Sequence, residues 1–180
     1  MRIGIASILA GMKLTITLLL LSLFAVTMAF AAPPPAEGSK APGFTLKSQD
    51  DSNISLSDYK GKWVVLYFYP KDMTQGCTIE AHGFQNDLAK YDAKNAVILG
   101  VSVDNTDSHR QFCAKDSLTF KLLADTEHKV SDEYGSLQDY KGTAIAARNT
   151  FLIGPDGTIK KVFMKVNPTG HSTEVLAAIQ

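Results

Sequence analysis

Two runs of consecutive apolar residues dominate the hydrophobic pattern of the chain, at residues 63–69 and 96–103. Both are rich in β-branched or aromatic side chains and show almost no polar alternation, which is typical of strands buried on both faces. Between them, apolar residues recur at helical spacing and predict a helix over residues 77–91. A second helix is predicted over residues 107–115.

Shorter patterns complete the element order. They are a hairpin within residues 41–59, a strand at 122–124, a helix at 128–134, a hairpin with strands at 148–153 and 159–166 around Gly154-Pro155-Asp156-Gly157, and a helix at 173–179. Buried strands alternating with helices predict an α/β fold, a mixed central sheet with helices on both faces. A nucleotide-binding fold is disfavoured because no glycine-rich phosphate loop follows any predicted strand.

The first forty residues differ from the rest. Between Lys13 and Glu37 no residue is charged, and the order of basic, apolar and small residues, ending in Ala29-Phe30-Ala31, is that of a secretory signal peptide. We therefore predict a signal peptide over residues 1–31, a flexible leader over 32–40 and one domain over 41–180. An uncleaved membrane anchor is the alternative, and Met12 is a second candidate start.

Composition narrows the function classes. The 180 residues carry equal numbers of basic and acidic side chains, which argues against a protein that binds polyanions through bulk charge. Two cysteines are too few for a disulfide-built scaffold or a cysteine-rich zinc module.

Cys77 is the strongest candidate for chemistry. It follows the first buried strand and lies in the first turn of the predicted helix, where unpaired N–H groups and the helix dipole favour a thiolate. Pro70 can shield the sulfur from solvent, and the Thr74 hydroxyl can hydrogen-bond an atom lying over it. From position alone, a buried inert thiol and half of a structural disulfide remain open alternatives.

These three residues form the pattern Pro70-x-x-x-Thr74-x-x-Cys77, which resembles the P-x-x-x-T-x-x-C signature of the peroxiredoxins. Further segments resemble the bacterioferritin comigratory protein, or peroxiredoxin Q, subgroup: residues 41–46, 77–80, 147–153 and Gly170-His171. The resemblance extends over essentially all of residues 40–180.

The resemblance implies a thioredoxin-like fold and a thiol-dependent reduction of hydrogen peroxide and organic hydroperoxides, with no metal, haem or nucleotide. Cys77 would be the nucleophile that becomes a sulfenic acid. Thr74 would hold the peroxide oxygens and Pro70 would cover the site. Arg148 would stabilise the thiolate and the charge moving onto the leaving oxygen. Without the resemblance, a surface cation would be the favoured interpretation of Arg148.

Many members of the subgroup have a resolving cysteine five residues after the nucleophile, but here that position is His82. Cys113, in the predicted helix 107–115, matches the place of the resolving thiol in other members. We therefore expect Cys113 to attack the Cys77 sulfenic acid and form an intramolecular disulfide. Thiols on different helices would require local unwinding to meet. A packed Cys113 in a one-cysteine enzyme is the alternative.

A structural zinc protein is a rival hypothesis, with Cys77, His82, His109 and Cys113 as ligands. It leaves Pro70, Thr74 and Arg148 unexplained. Outside that hypothesis, the four histidines are expected to be solvated.

The predicted signal peptide also sets the expected compartment and partners. We expect export to the periplasm, a peroxide substrate and a thioredoxin-like reductant. We expect no nucleic-acid partner, no stable membrane association after cleavage, and a monomer or weak dimer.

Overall fold

The computed structural model describes residues 33–180, so the signal peptide predicted for residues 1–31 lies outside the described part of the chain. The described strands are β1 Thr45–Ser48, β2 Asn53–Ser55, β3 Trp63–Phe68, β4 Ala96–Ser102, β5 Lys121–Ala124, β6 Leu137–Tyr140, β7 Thr143–Ala146, β8 Asn149–Ile153 and β9 Ile159–Phe163. The described helices are a 3₁₀ turn at Leu56–Tyr59, α1 Gln75–Asn86, α2 Leu88–Ala93, α3 Thr106–Asp116, α4 Lys129–Glu133 and α5 His171–Ala178.

Seven strands form one mixed sheet, in the order β2-β1-β5-β4-β3-β8-β9. The three central strands β5, β4 and β3 are parallel, because helical connections return the chain to the same edge. The flanking strands are antiparallel, including β8 against β3 and β9 against β8. The predicted mixed sheet with helices is confirmed.

The two faces of the sheet carry separate apolar clusters, since alternate residues of β3 point in opposite directions. Val65 and Tyr67 belong to the cluster covered by α1, α2, α3 and α5. Val64 and Leu66 belong to the second cluster, to which α4 contributes Val130. Burial on both faces explains why the sequence of β3 reads as a continuous apolar run.

The helix predicted over residues 77–91 is two helices. Asp87, with φ −94° and ψ 2°, lies between α1 and α2. Its carboxylate accepts hydrogen bonds from Lys90 and from Ser172 of α5. Apolar spacing continues through the break, so the pattern does not reveal it.

A third hairpin, β6–β7, was not predicted from the sequence. β6 is mostly exposed and β7 is only partly buried, so neither strand carries the apolar pattern of a buried strand. The turn at Lys141-Gly142 has positive φ at both residues, which is the geometry of a tight two-residue hairpin.

The last residues of the predicted leader, 32–40, pair with the edge of the sheet. The Gly38 N–H donates to Ile159 at 2.7 Å, the Ile159 N–H donates back to Ser39 at 2.9 Å, and Lys40 pairs with Thr158. Strand pairing uses backbone groups, so a segment without apolar side chains can still join the sheet edge.

Within residues 33–180, no helix is both long and apolar enough to cross a membrane.

Candidate active site

Cys77 lies in the first turn of α1, directly beyond the carboxyl end of β3. Thr74 is the N-cap residue, with extended backbone, and the first turn contains no acidic side chain. The unpaired N–H groups and the positive end of the helix dipole therefore face this region without a competing carboxylate from the turn itself. Only 2% of Cys77 is exposed, and the thiol is not in a disulfide.

Arg148 reaches Cys77 from the segment between β7 and β8. Its Nη2 atom lies 3.3 Å from the Cys77 Sγ, and its Nη1 atom donates to Glu80 Oε2. Burial lowers the pKa of Arg148, but the neighbouring Glu80 and Cys77 raise it by more. The net pKa is above its ordinary value, so the guanidinium stays charged. One rigid cation thus contacts the sulfur and a carboxylate at the same time.

Glu80 is the residue of this site whose role the sequence analysis missed. It lies three residues after Cys77, so both side chains share one face of α1. Burial raises the pKa of Glu80 to about 7, against the opposing effect of Arg148. Its Oε1 atom is buried without a hydrogen-bond partner. The sequence signal that could have identified Glu80 is its helical spacing of three residues from Cys77.

Thr74 and Pro70 lie where the motif predicts, between β3 and α1. The Thr74 hydroxyl is exposed and donates to the Lys71 carbonyl at 3.1 Å, so it does not cap α1. Pro70 is half-buried immediately after β3. Met73 precedes the cap with φ 58°, a left-handed conformation that turns the chain into the helix.

Cys113 lies in the last turn of α3 and is half-buried. Its carbonyl accepts a hydrogen bond from Leu118 across the left-handed Ser117. Both cysteines pack in the same apolar cluster of the sheet. Burial raises the pKa of the Cys113 thiol to about 11, with a further contribution from Asp72 and an opposing one from Lys121.

The four proposed zinc ligands do not converge. His82 contacts Asp116 at 3.1 Å, and the Nδ1 atom of His109 contacts Asp72 Oδ2 at 2.8 Å. Among residues 33–180, no group of three or more His, Cys, Asp or Glu side chains could hold a metal ion. The expectation of solvated histidines is wrong for His109 and His171, which are buried.

A mixed sheet that presents a cysteine at a helix N-terminus, in contact with a guanidinium, defines a thiol-redox protein. Comparisons with known proteins agree. A model of the AhpC/TSA family matches residues 38–162. Peroxiredoxin Bcp of Bacillus subtilis is 41% identical over 150 residues, covering 79% of this chain and 94% of the relative. The chloroplastic peroxiredoxin Q of Triticum aestivum is 41% identical over 146 residues, covering 81% and 67%.

Solved structures give the same result. A mutant of PrxQ from Xylella fastidiosa superposes with a TM-score of 0.77 and 34% identity, covering 81% of this chain and 96% of that one. The chain belongs to the AhpC/TSA family and is a peroxiredoxin of the Bcp and peroxiredoxin Q type. It has the thioredoxin-like fold and is a thiol-dependent peroxidase.

Proposed function

We propose that the enzyme reduces hydrogen peroxide and organic hydroperoxides with Cys77 as the nucleophile. The observation that carries this proposal is the 3.3 Å contact between Arg148 Nη2 and the Cys77 Sγ at the N-terminus of α1. The thiolate attacks one peroxide oxygen, the O–O bond breaks, and the leaving oxygen takes a proton to become water or an alcohol. Cys77 is left as a sulfenic acid.

Each group around Cys77 has a separate role in this oxidation step. Arg148 favours the thiolate and stabilises negative charge as it moves to the leaving oxygen. Glu80 fixes the direction of that guanidinium through the other Nη atom. The Thr74 hydroxyl, which now donates to a carbonyl, can turn to hydrogen-bond a peroxide oxygen. Pro70 shields the sulfur from solvent.

Cys113 is the resolving residue. Its thiolate attacks the Sγ of the sulfenic acid, the S–O bond breaks, and a Cys77–Cys113 disulfide and water result. The two thiols share one apolar cluster, and each lies in a terminal turn of its helix, where the backbone opens most easily. An external thioredoxin-type dithiol then reduces the disulfide.

A one-cysteine mechanism is the second candidate. It is favoured by the packing of Cys113 against the apolar cluster and by the raised pKa of its thiol, both of which oppose reaction. In that mechanism the reductant attacks the sulfenic acid directly.

The chain acts after export, with the periplasm as its compartment and a thioredoxin-like protein there as reductant. This rests on the basic, apolar and small-residue order of residues 1–31. Fractionation of cells that produce the full chain, with mass determination of the recovered protein, tests both export and cleavage after Ala31.

The function itself is tested with Cys77→Ser and Cys113→Ser. We expect Cys77→Ser to abolish peroxide consumption in the presence of a dithiol. Cys113→Ser should be oxidised once, to a sulfenic acid that dimedone labels, and should then recycle more slowly. Full activity of Cys77→Ser would refute the proposed nucleophile. Unchanged recycling by Cys113→Ser would support the one-cysteine mechanism.

A further inference from the structure

A buried polar cluster connects the two cysteine-bearing segments. Asp72 lies in the loop before α1, five residues before Cys77, and His109 lies on α3, four residues before Cys113. Asp72 Oδ2 contacts His109 Nδ1 at 2.8 Å and accepts from the Ser108 hydroxyl at 2.7 Å. The arrangement is buried, with the His109 side chain 0% and the Asp72 side chain 1% exposed.

The contact with Asp72 sets the tautomer of His109. A carboxylate only accepts hydrogen bonds, so the proton of a neutral imidazole is on Nδ1. Although burial would raise the pKa of Asp72, His109, Ser108 and Tyr69 hold it below its ordinary value, so the group is a carboxylate at neutral pH. In that neutral tautomer, the Nε2 atom of His109 carries a lone pair that can accept a proton.

That Nε2 atom is buried and has no hydrogen-bond partner. A buried nitrogen without a partner is unfavourable and calls for an explanation. His109 and Cys113 are one helical turn apart, and helical side chains tilt toward the N-terminus, so the thiol leans toward the turn that carries His109. The Asp72 charge is also close enough to influence the Cys113 thiol.

We propose that His109 is the general base of the resolving step, with Asp72 as the residue that orients it. This rests on the proposed role of Cys113. His109 Nε2 takes the proton of the Cys113 thiol, and the thiolate attacks the Sγ of the Cys77 sulfenic acid. The S–S bond forms as the S–O bond breaks, and the departing hydroxide receives the proton to leave as water. The Cys77 sulfur is reduced and the Cys113 sulfur is oxidised, so no further redox partner is needed.

The thiol requires such a base because burial disfavours its ionisation. Charged and titratable groups close to His109 or Cys113 include Asp72 from the loop before α1, Tyr69 at the end of β3 and Lys121 from β5. Asp104 accepts a hydrogen bond from the Asp72 N–H, and Asp116 on α3 contacts His82. Tyr69 donates to Asp72 Oδ1 at 2.7 Å, and burial raises its pKa, so it stays protonated. Lys121 has a salt bridge with Asp50. His109 is thus the neighbour suited to accept the proton.

The test is the rate of disulfide formation against pH in a single turnover. His109→Asn keeps an amide that can donate to Asp72 and removes the Nε2 base. Sulfenic acid is quantified by dimedone labelling and disulfide by mass spectrometry, so resolution is measured only on molecules already oxidised. His128→Asn is the matched control, since His128 has φ 63°, a conformation that asparagine tolerates.

We expect resolution in His109→Asn to be slower by roughly 100-fold at pH 7, the usual effect of general-base catalysis. The deficit should shrink as pH rises toward 10, because hydroxide then ionises the thiol directly. His128→Asn should follow the wild-type profile. An equal deficit of His109→Asn at every pH would overturn the proposal in favour of a structural role, and an unchanged rate would overturn it outright.

Failure of the underlying mechanism gives a different result. If wild-type protein forms sulfenic acid but no Cys77–Cys113 disulfide, the proposed resolving role of Cys113 fails before His109 is in question.

Asp72→Asn gives the second arm of the test, since loss of the carboxylate should produce a pH-dependent deficit in the same direction. A wild-type profile for Asp72→Asn would remove Asp72 from the proposal.

Discussion

Gly76 lies directly against the guanidinium of Arg148. A Cβ atom at Gly76 would be 3.2 Å from Arg148 Nη2, the atom that contacts the Cys77 sulfur. This distance is shorter than an ordinary van der Waals contact, so a side chain at position 76 would displace the guanidinium by a few tenths of an ångström. The residue before the nucleophile therefore has to be small if Arg148 is to reach the thiol.

Gly76→Ala should separate activity from stability. Alanine is favoured over glycine in a helix by up to about 1 kcal/mol, so the variant should unfold at a similar or higher denaturant concentration. Oxidation of Cys77 by peroxide should nevertheless be slower, because Nη2 is moved from its place. Stopped-flow oxidation kinetics and urea denaturation measure the two effects.

The matched control is Gly83→Ala in the same helix. A Cβ there would be 3.6 Å from Ser172 Cβ, an ordinary contact, and far from the guanidinium contact described above. This variant should gain stability by up to about 1 kcal/mol and keep the wild-type oxidation rate. Equal losses of activity in both alanine variants would contradict the steric explanation.

Arg148→Lys tests the geometry of the cation apart from its charge. A lysine ammonium is a compact point charge that cannot place two parallel nitrogens against Cys77 and Glu80. We expect Cys77 oxidation by peroxide to be slower by roughly 100-fold, the effect typical of losing one preorganised donor to a developing charge. Arg110→Lys is the control, since Arg110 is an exposed arginine that contacts Asp51 and Asp107. A rate within a factor of two of wild type would show that charge alone suffices.

The sequence predicted most of the sheet, because buried parallel strands such as β3 are continuous apolar runs. It did not predict the Asp87 break between α1 and α2, where the apolar spacing is uninterrupted and a polar contact with Ser172 decides the geometry. Exposed strands such as β6 have too few buried apolar positions to be recognised from the pattern, so β6 was missed as well.

Two contacts of the site could not be predicted from local sequence patterns. The placement of Arg148 beside Cys77 depended on family resemblance, because no local pattern links residues 71 positions apart. The contact between Asp72 and His109 spans 37 positions and was not foreseen for the same reason. Buried polar pairs of this kind are defined by tertiary packing alone.

Glu80 should make the stability of the protein depend on pH. Its pKa is raised from 4.5 to about 7, chiefly by burial, so between these values the folded protein holds a proton that the unfolded chain releases. The contribution of Glu80 is therefore fully present below pH 4.5 and is lost as pH rises through about 7. Glu80→Gln removes this proton uptake, so its stability relative to wild type should improve from pH 5 to pH 8. Urea denaturation at intervals across that range measures it; a constant difference between the two proteins would contradict the shift.

Disulfide formation between Cys77 and Cys113 should open the helix ends that carry them. Cys77 is in the first turn of α1 and Cys113 in the last turn of α3, so each can leave its helix by breaking few backbone hydrogen bonds. Hydrogen exchange of peptides containing either cysteine should be faster after one equivalent of peroxide, while peptides of β3 and β4 should stay protected. The peroxide-treated Cys113→Ser variant is the control and should show no such increase in the Cys113 peptide. Equal protection of both helix ends in the reduced and disulfide forms would mean that the thiols meet without local opening.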